Sequence, residues 1–339
     1  MTIVSLEAQT VRDSQEVLAF LGACPFVGEA WPGWPAGQAA AALMAMAGPA
    51  ARWWVSQRQG AWQWLMGCEP LEFDSLVFGR AMGRLAPLAH REAWPGAQAQ
   101  QEGERLLGHV LGQAWGHHGQ AGLEGLVARV GSRDYLAARV LEAAGFFLAD
   151  LSVEWLLELG DVPLARPQTP AGMVVRPWKP SDQEALQDLA AASFCDLESY
   201  ADRFALDPRL QAGCPELYRR WMANCFNGRQ ADMVLVLQAG GEARGFITLK
   251  RAPAGAGVQS GCGWVNLNAI DPGLRGRGLY NLLLRHGLDW LAAQGARRAR
   301  VRTKLSQGAV IRAWSRLGAR QVYSDMTFHL WRTQDKEMA

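Results

Sequence analysis

The clearest candidate for chemistry in this sequence is the basic, glycine-rich turn Arg275-Gly276-Arg277-Gly278, which stands between a β-rich run and an apolar-striped helix. The first amides of a helix have no intrahelical partner, and the helix dipole is positive at that end. Glycines let the backbone approach an anion without an intervening Cβ, and the two arginines add positive charge. The turn is therefore predicted to bind a pyrophosphate group.

Other phosphate-binding loops explain this turn less well. The sequence contains no GxGxxG after its first strand and no GxxxxGK[ST] motif, so the dinucleotide-binding and P-loop patterns do not apply. A tight strand-to-helix turn that binds no ligand is the alternative interpretation of the same residues.

The residues around the turn resemble a known family. Residues 272–278 are similar to the acetyl-CoA pyrophosphate loop of GNAT-type N-acetyltransferases, which has the form [QR]-x-x-G-x-[GA], although Gly273 stands where Gln or Arg is usual. A later stretch, residues 306–319, is similar to the second signature of that family. The resemblance implies that acetyl-CoA, or another acyl-CoA, is the cofactor. The residues that it assigns to the cofactor are Ala269, Ile270, Arg275, Gly276, Arg277, Gly278, Leu279, Tyr280 and Gln307.

The resemblance also implies how the strands serve the reaction. The strands at 264–270 and 298–304 are expected to separate, so that the pantetheine arm lies between them and pairs with free backbone groups of the first strand. A backbone amide within residues 267–269 would polarise the thioester carbonyl. Asn266 and Asn268 alternate along the first strand. They are candidates for contact with the acceptor amine, or they merely satisfy a β-bulge.

The general acid is the part of the site for which the sequence departs from the family pattern. The usual acid is a tyrosine in the second signature, and Trp314 occupies that position here. An indole cannot supply a proton at neutral pH, so the catalytic residue is unknown at this point. Tyr280 and Tyr323 are the candidates, because a phenol can act as an acid; a packing role is the alternative for each.

A narrower resemblance concerns the acceptor. Segments at 218–222, 232–238 and 244–249 are similar to TDP-fucosamine N-acetyltransferases and related enzymes that acylate nucleotide-linked amino sugars, and residues 73–79 are similar to a segment in the N-terminal part of those enzymes. The expected function is transfer of an acetyl group from acetyl-CoA to a primary amine of a small molecule, for example such an amino sugar. The alternatives are a tandem acetyltransferase of the mycothiol-synthase kind, acting on another amine metabolite, and a non-catalytic CoA-binding sensor or scaffold.

The elements that must position these residues form two similar series. Three prolines within residues 161–172 mark a linker, and the predicted domains are residues 1–162 and 172–333. The second domain has the predicted order β-α-α-β-β-β-α-β-α-β. The first half repeats much of this order but has no R-G-x-G turn. We therefore predict an α/β fold (an α+β mixed sheet) of two tandem GNAT-like domains, of which the N-terminal one is degenerate and lacks the CoA loop.

Composition argues against several other classes of protein. The 339-residue chain has a net charge of +2 with interspersed charges, so no nucleic-acid partner is expected. No apolar run reaches about 18 residues, the length of a membrane span, and no signal peptide is recognisable, so we expect no membrane contact and a cytoplasmic location. The six cysteines show no metal-ligand spacing, and no metal site is predicted. A monomer or a homodimer is expected.

Overall fold

The computed structural model describes residues 1–6, 14–29, 35–116, 122–160, 168–198, 200–252 and 261–332. The chain divides into two compact units. The first comprises Met1–Leu151 and Tyr323–Ala339, and the second comprises Ser152–Val322. Helices and strands occur together in both units, which confirms the prediction of a mixed α/β fold. No helix in the described part of the chain is long and apolar enough to cross a membrane.

The first unit consists of a sheet with helices between its strands. Its described strands are β1 (Thr2–Leu6), β2 (Arg52–Arg58), β3 (Ala61–Pro70), β4 (Met82–His90), β5 (Gly125–Gly131) and residues 323–331 of β12 (Arg320–Trp331). Its described helices are α1 (Gln15–Ala23), α2 (Ala36–Ala45), α3 (Glu72–Phe78), α4 (Ala97–Ala114) and α5 (Tyr135–Ala143). Strands β1 to β4 pair antiparallel in chain order, β4 pairs parallel with β5, and β5 pairs antiparallel with β12.

The second unit has the same plan. Its described strands are residues 152–158 of β6 (Phe147–Glu158), β7 (Met173–Pro177), β8 (Met233–Ala239), β9 (Glu242–Arg251), β10 (Cys262–Ile270) and β11 (Arg298–Lys304). Its described helices are α6 (Gln183–Phe194), α7 (Arg203–Leu206), α8 (Cys214–Phe226), α9 (Leu279–Ala293) and α10 (Gly308–Arg316). Strands β7 to β10 pair antiparallel in chain order, β10 pairs parallel with β11, and β11 pairs antiparallel with β6.

Each unit is completed by a strand from the other half of the sequence. Residues 152–158 of β6 pair with β11 in the second unit, and residues 323–331 of β12 pair with β5 in the first. The compact units therefore differ from the predicted bounds of 1–162 and 172–333. Strands pair more commonly with their sequence neighbours, so the order of elements along the chain does not indicate this arrangement. Of the predicted linker at 161–172, residues 161–167 lie outside the described residues.

The core of the second unit fixes the start of α9 against the end of β10. The leucines of one α9 stripe are at most 2% exposed, as a 3.6-residue period predicts. They pack with Val265 and Ile270 of β10, Val301 of β11 and Trp314 of α10. Burying one such side chain stabilises the fold by about 1.5–3 kcal/mol. The loop between β10 and α9 is thus held at both ends by packed elements.

Candidate functional site

The glycine-rich loop is shaped by two left-handed residues. A 3-10 turn at Pro272–Leu274 follows β10, and in it the Asp271 side chain accepts a hydrogen bond from the Gly273 amide at 2.9 Å. Gly276 and Gly278 then adopt φ angles of +77° and +75°. Residues with a Cβ rarely adopt this region, so the two glycines are what allows the chain to turn directly into α9.

The backbone amides of this loop are available to a ligand. None of the described residues accepts a hydrogen bond from the amides of residues 276–280. A Cβ built on Gly276 or Gly278 would meet no heavy atom within 4 Å. The bend is therefore neither buried nor filled by neighbouring side chains. Consecutive free amides at the positive end of a 15-residue helix fit a pyrophosphate.

The two arginines of the loop differ in their contacts. Arg275 donates a hydrogen bond from Nε to the backbone oxygen of Ile270 at 3.2 Å, which ties this side chain to the end of β10. Arg277 is exposed, and within the described ranges it makes neither an ion pair nor a hydrogen bond. Arg277 is therefore the loop side chain whose charge is most available to a phosphate.

Strands β10 and β11 separate after a short paired stretch. They pair over four residues, Cys262–Val265 with Arg298–Val301, and not beyond. Strand β11 continues to pair with β6 as far as Lys304, and β10 continues to pair with β9 as far as Ile270. The predicted separation of these strands is confirmed. A gap opens between them at the end where β10 leads into the glycine-rich loop.

A β-bulge in β10 lies at the start of this gap. The register against β9 shifts between Val265 and Asn268. The hydroxyl of Thr248 in β9 accepts a hydrogen bond from the Leu267 amide at 2.8 Å and donates one to the Leu267 oxygen at 3.1 Å. Backbone groups of consecutive strand residues point alternately to the two sides of the strand. Because those of Leu267 point to β9, the amides of Asn268 and Ile270 point into the gap.

The bulge changes the expectation for the two asparagines of β10. A regular strand would place Asn266 and Asn268 on one face, but the register shift lies between Val265 and Asn268. Asn266 Nδ2 donates to the Gln230 oxygen at 3.4 Å, and Asn268 Nδ2 donates to the Asn266 oxygen at 3.3 Å. Both side chains therefore satisfy backbone oxygens near the bulge, and their contact with an acceptor stays a prediction.

Tyr280 and Trp314 are in direct contact. Trp314 is fully buried, and its Nε1 donates a hydrogen bond to Tyr280 Oη at 3.2 Å. Burial raises the pKa of Tyr280, and the indole hydrogen bond opposes that shift only in part. The contact ties the Tyr280 hydroxyl to Trp314, and the acid role of Tyr280 stays a prediction.

The remaining predicted residues are distributed over both units. Tyr323 belongs to the first unit, where its hydroxyl lies 3.6 Å from the position of a Cβ on Gly131. Gln307 occupies the N-cap position of α10 in the second unit. Ala269 and Leu279 are buried, so any contact of theirs with a cofactor would be made by the backbone. The catalytic role predicted for Tyr323 is not tested by these contacts.

A polar cluster that was not predicted from the sequence lies at the end of β11. Lys304 is 5% exposed, and its Nζ donates a hydrogen bond to the backbone oxygen of Ala201. Next along the chain, Asp202 accepts a hydrogen bond from Tyr218 Oη, and both residues are buried. Burial, together with the nearby carboxylate, raises the pKa of Tyr218. These bonds fasten the segment before α7 to α8 and β11, and no pattern in the sequence marks the lysine as buried.

The first unit repeats the strand geometry without the loop. Strands β4 and β5 pair over four residues, Met82–Leu85 with Gly125–Ala128, and not beyond. At the end of β4, His90 Nε2 and Asp134 Oδ1 lie 2.8 Å apart, and both residues are buried. Helix α4 begins after Gly96, with no R-G-x-G turn before it. The separated strands thus end at a buried polar pair instead of a row of loop amides.

Comparison with known families assigns the second unit. Residues 196–319 match the model of the acetyltransferase (GNAT) family. The matched residues lie within the second unit and include the glycine-rich loop, both separated strands and α10. The second unit is a GNAT acetyltransferase domain. The GNAT domain also extends beyond the match, because residues 152–158 of β6 and strand β7 complete its sheet.

Three relatives, each 26–27% identical, are similar to this chain. Spore coat polysaccharide biosynthesis protein SpsD of Bacillus subtilis is 27% identical over 209 residues. The matched region covers 61% of this chain and 66% of that protein, just under two thirds of its length. The dTDP-fucosamine acetyltransferase of Escherichia coli is 27% identical over 183 residues, 53% of this chain and 69% of that protein. Mycothiol acetyltransferase of Actinosynnema mirum is 26% identical over 268 residues, 75% of this chain and 77% of that protein.

Solved structures share the fold over the whole chain. A GCN5-related N-acetyltransferase from Sphaerobacter thermophilus has a TM-score of 0.60 at 15% identity, covering 97% of this chain and 95% of that one. A tandem GNAT protein from the clavulanic acid biosynthesis pathway has a TM-score of 0.53 at 15% identity, covering 97% of this chain and 98% of that one. These similarities concern the fold alone. They confirm the predicted tandem architecture, in which the family model matches only the C-terminal part.

Proposed function

We propose that the protein is an N-acyltransferase that moves an acetyl group from acetyl-CoA, or another acyl group from its CoA thioester, to a primary amine of a small molecule. The observation that carries the proposal is the open row of amides at residues 276–280 beside the gap between β10 and β11. A doubly charged pyrophosphate suits those amides and the unpaired charge of Arg277. An extended chain of amide groups suits the strand edge that faces the gap.

The chemistry divides between the coenzyme and the residues of the second unit. A bound acyl-CoA supplies an activated carbonyl and a thiolate leaving group. The Ile270 amide, which points into the gap, would pair with the pantetheine arm, and the Asn268 amide would donate to the thioester oxygen as negative charge develops on it. The bulge held by Thr248 aims the Asn268 amide into the gap. The protein thus contributes orientation and electrostatic stabilisation, while the amine must be neutral when it attacks.

A nucleotide-linked amino sugar is the acceptor that we favour. Two of the similar proteins are named for polysaccharide biosynthesis and for acetylation of a dTDP-linked amino sugar. A second candidate acceptor, an amine metabolite of the mycothiol kind, is favoured by the similarity to mycothiol acetyltransferase, which covers 75% of this chain. Both candidates present a primary amine, so the same cleft and coenzyme would serve either.

The test measures binding and transfer separately. Thermal unfolding with acetyl-CoA, with CoA and with dTDP-linked amino sugars should show a rise in Tm for the coenzymes and for the true acceptor nucleotide. Release of free thiol from acetyl-CoA, measured with a panel of amino sugars and of cysteine-containing amines, should then rise above the rate of hydrolysis with one class. No stabilisation by acetyl-CoA or CoA would refute the proposal. Stabilisation without thiol release by any amine in the panel would favour the alternative, a CoA-binding sensor or scaffold.

A further inference from the structure

The hydroxyl of Tyr280 has an unused hydrogen-bond donor. Trp314 Nε1 donates to its oxygen at 3.2 Å. An indole nitrogen is a donor only, so the hydroxyl hydrogen must point away from it. None of the described residues accepts that hydrogen. The residue is half-buried, so a ligand acceptor that reaches the hydroxyl can take up this unused donor.

The position of Tyr280 limits what that ligand atom can be. Tyr280 is the second residue of α9, two residues after Gly278, so its backbone belongs to the predicted pyrophosphate loop. Its ring packs at the edge of the core that contains Val301 of β11 and Ile270 of β10, and it retains partial exposure. The hydroxyl therefore lies on the apolar side of the loop, beside buried Trp314. An uncharged carbonyl suits this environment better than a phosphate oxygen, because burying a charge is far more costly.

We propose that the Tyr280 hydroxyl, oriented by the Trp314 indole, donates a hydrogen bond to an amide carbonyl of the pantetheine arm of the bound acyl-CoA. This inference rests on the proposed function. It makes Tyr280 a coenzyme-binding residue and Trp314 a positioning residue that acts through it. The raised pKa of Tyr280, caused by burial, agrees with this role, since the hydroxyl keeps its proton at neutral pH and can donate it.

The experiment compares whole CoA with its nucleotide portion, which lacks the arm. Calorimetric titration gives Kd values for CoA, acetyl-CoA and adenosine 3′-phosphate 5′-diphosphate. Tyr280→Phe is expected to raise the Kd values of CoA and acetyl-CoA about threefold to tenfold, which corresponds to one neutral hydrogen bond. The Kd of the nucleotide should not change. Tyr135→Phe, which removes the hydroxyl of an exposed tyrosine in the first unit, is the matched control and should change none of the three.

A double-mutant cycle tests the role of Trp314. Trp314→Phe removes the indole donor, and it should raise the Kd of CoA less than Tyr280→Phe does. The double variant should bind CoA no more weakly than Tyr280→Phe alone, because both substitutions act on one hydrogen bond. Thermal unfolding of each variant shows whether it is folded. If Trp314→Phe proves unstable, the Kd values of Tyr280→Phe alone test the proposal.

Three outcomes would overturn the inference. Tyr280→Phe could bind CoA as tightly as the wild type. It could weaken the binding of CoA and of the nucleotide equally, which would mean that the loop is distorted. It could lower kcat at unchanged Kd, which would mean an acid role. If the wild-type protein binds neither CoA nor the nucleotide, the proposed function itself has failed, and that result is distinct from these three.

Discussion

Replacement of Gly278 by alanine should separate folding from coenzyme binding. Gly278 has a φ of +75°, and a left-handed conformation costs a residue with a Cβ about 1–2 kcal/mol. A Cβ at this position meets no protein atom within 4 Å, so no steric clash adds to that cost. If the second unit unfolds cooperatively, the loss lowers Tm by about 2–8 °C. The variant is therefore expected to fold.

Coenzyme binding should suffer more than stability. The methyl group would occupy space next to the free amides and keep the anion from approaching them. Each charge-assisted hydrogen bond lost is worth about 1.5–3 kcal/mol, or a factor of about 10 to 150 in Kd. Calorimetric titration with acetyl-CoA measures this change, and differential scanning calorimetry measures the loss of stability.

Gly241 supplies the matched control. It lies in the hairpin between β8 and β9, has a φ of +88°, and its added Cβ would also meet no atom within 4 Å. Gly241→Ala should therefore lower Tm by a similar amount and leave the Kd of acetyl-CoA unchanged. Equal affinities for the two variants would refute the assignment of the loop as the pyrophosphate site.

Three further changes test other parts of the reasoning. Arg277→Gln should raise the Kd of acetyl-CoA and make binding less dependent on salt, because one exposed charge on a phosphate is lost; Arg320→Gln, an exposed arginine at the start of β12, should do neither. Thr248→Val should lower the free energy of unfolding by about 1–3 kcal/mol and reduce kcat, because the buried bulge loses both side-chain hydrogen bonds; denaturant unfolding without a change would show that the bulge does not need them. Fragment 172–339 should fail to unfold cooperatively, whereas fragment 152–322, which keeps β6 beside β11, should show a transition by circular dichroism; equal behaviour would contradict the exchanged strands.

Local patterns in the sequence predicted the parts of the site that depend on local physics. The glycine-rich turn needs two residues of positive φ and a helix start, and both are visible as Gly276 and Gly278 before a leucine stripe. The separation of strands 264–270 and 298–304 followed from the family resemblance, and the pairing confirms it. The tandem plan was visible from the repeated order of elements, because each half carries the same sequence of short strands and striped helices.

Non-local contacts were not predictable from the same patterns. Nothing along the chain indicates that residues 152–158 pair with β11, since a strand's hydrophobic alternation does not name its partner. The bulge depends on the Thr248 hydroxyl, which lies on a different strand from the residues that it bonds. Trp314 and Tyr280 lie 34 positions apart in sequence and on different helices, so the bond between them is not visible in the sequence. The change of residue type at 314 therefore appeared only as a missing acid.

A crystal structure of the protein with CoA provides the most direct measurement. We predict pyrophosphate oxygens within about 2.7–3.2 Å of amide nitrogens in residues 276–280, with the pantetheine arm between β10 and β11. A coenzyme bound elsewhere, or a pyrophosphate held only by side chains while those amides face solvent, would contradict the site and the function built upon it.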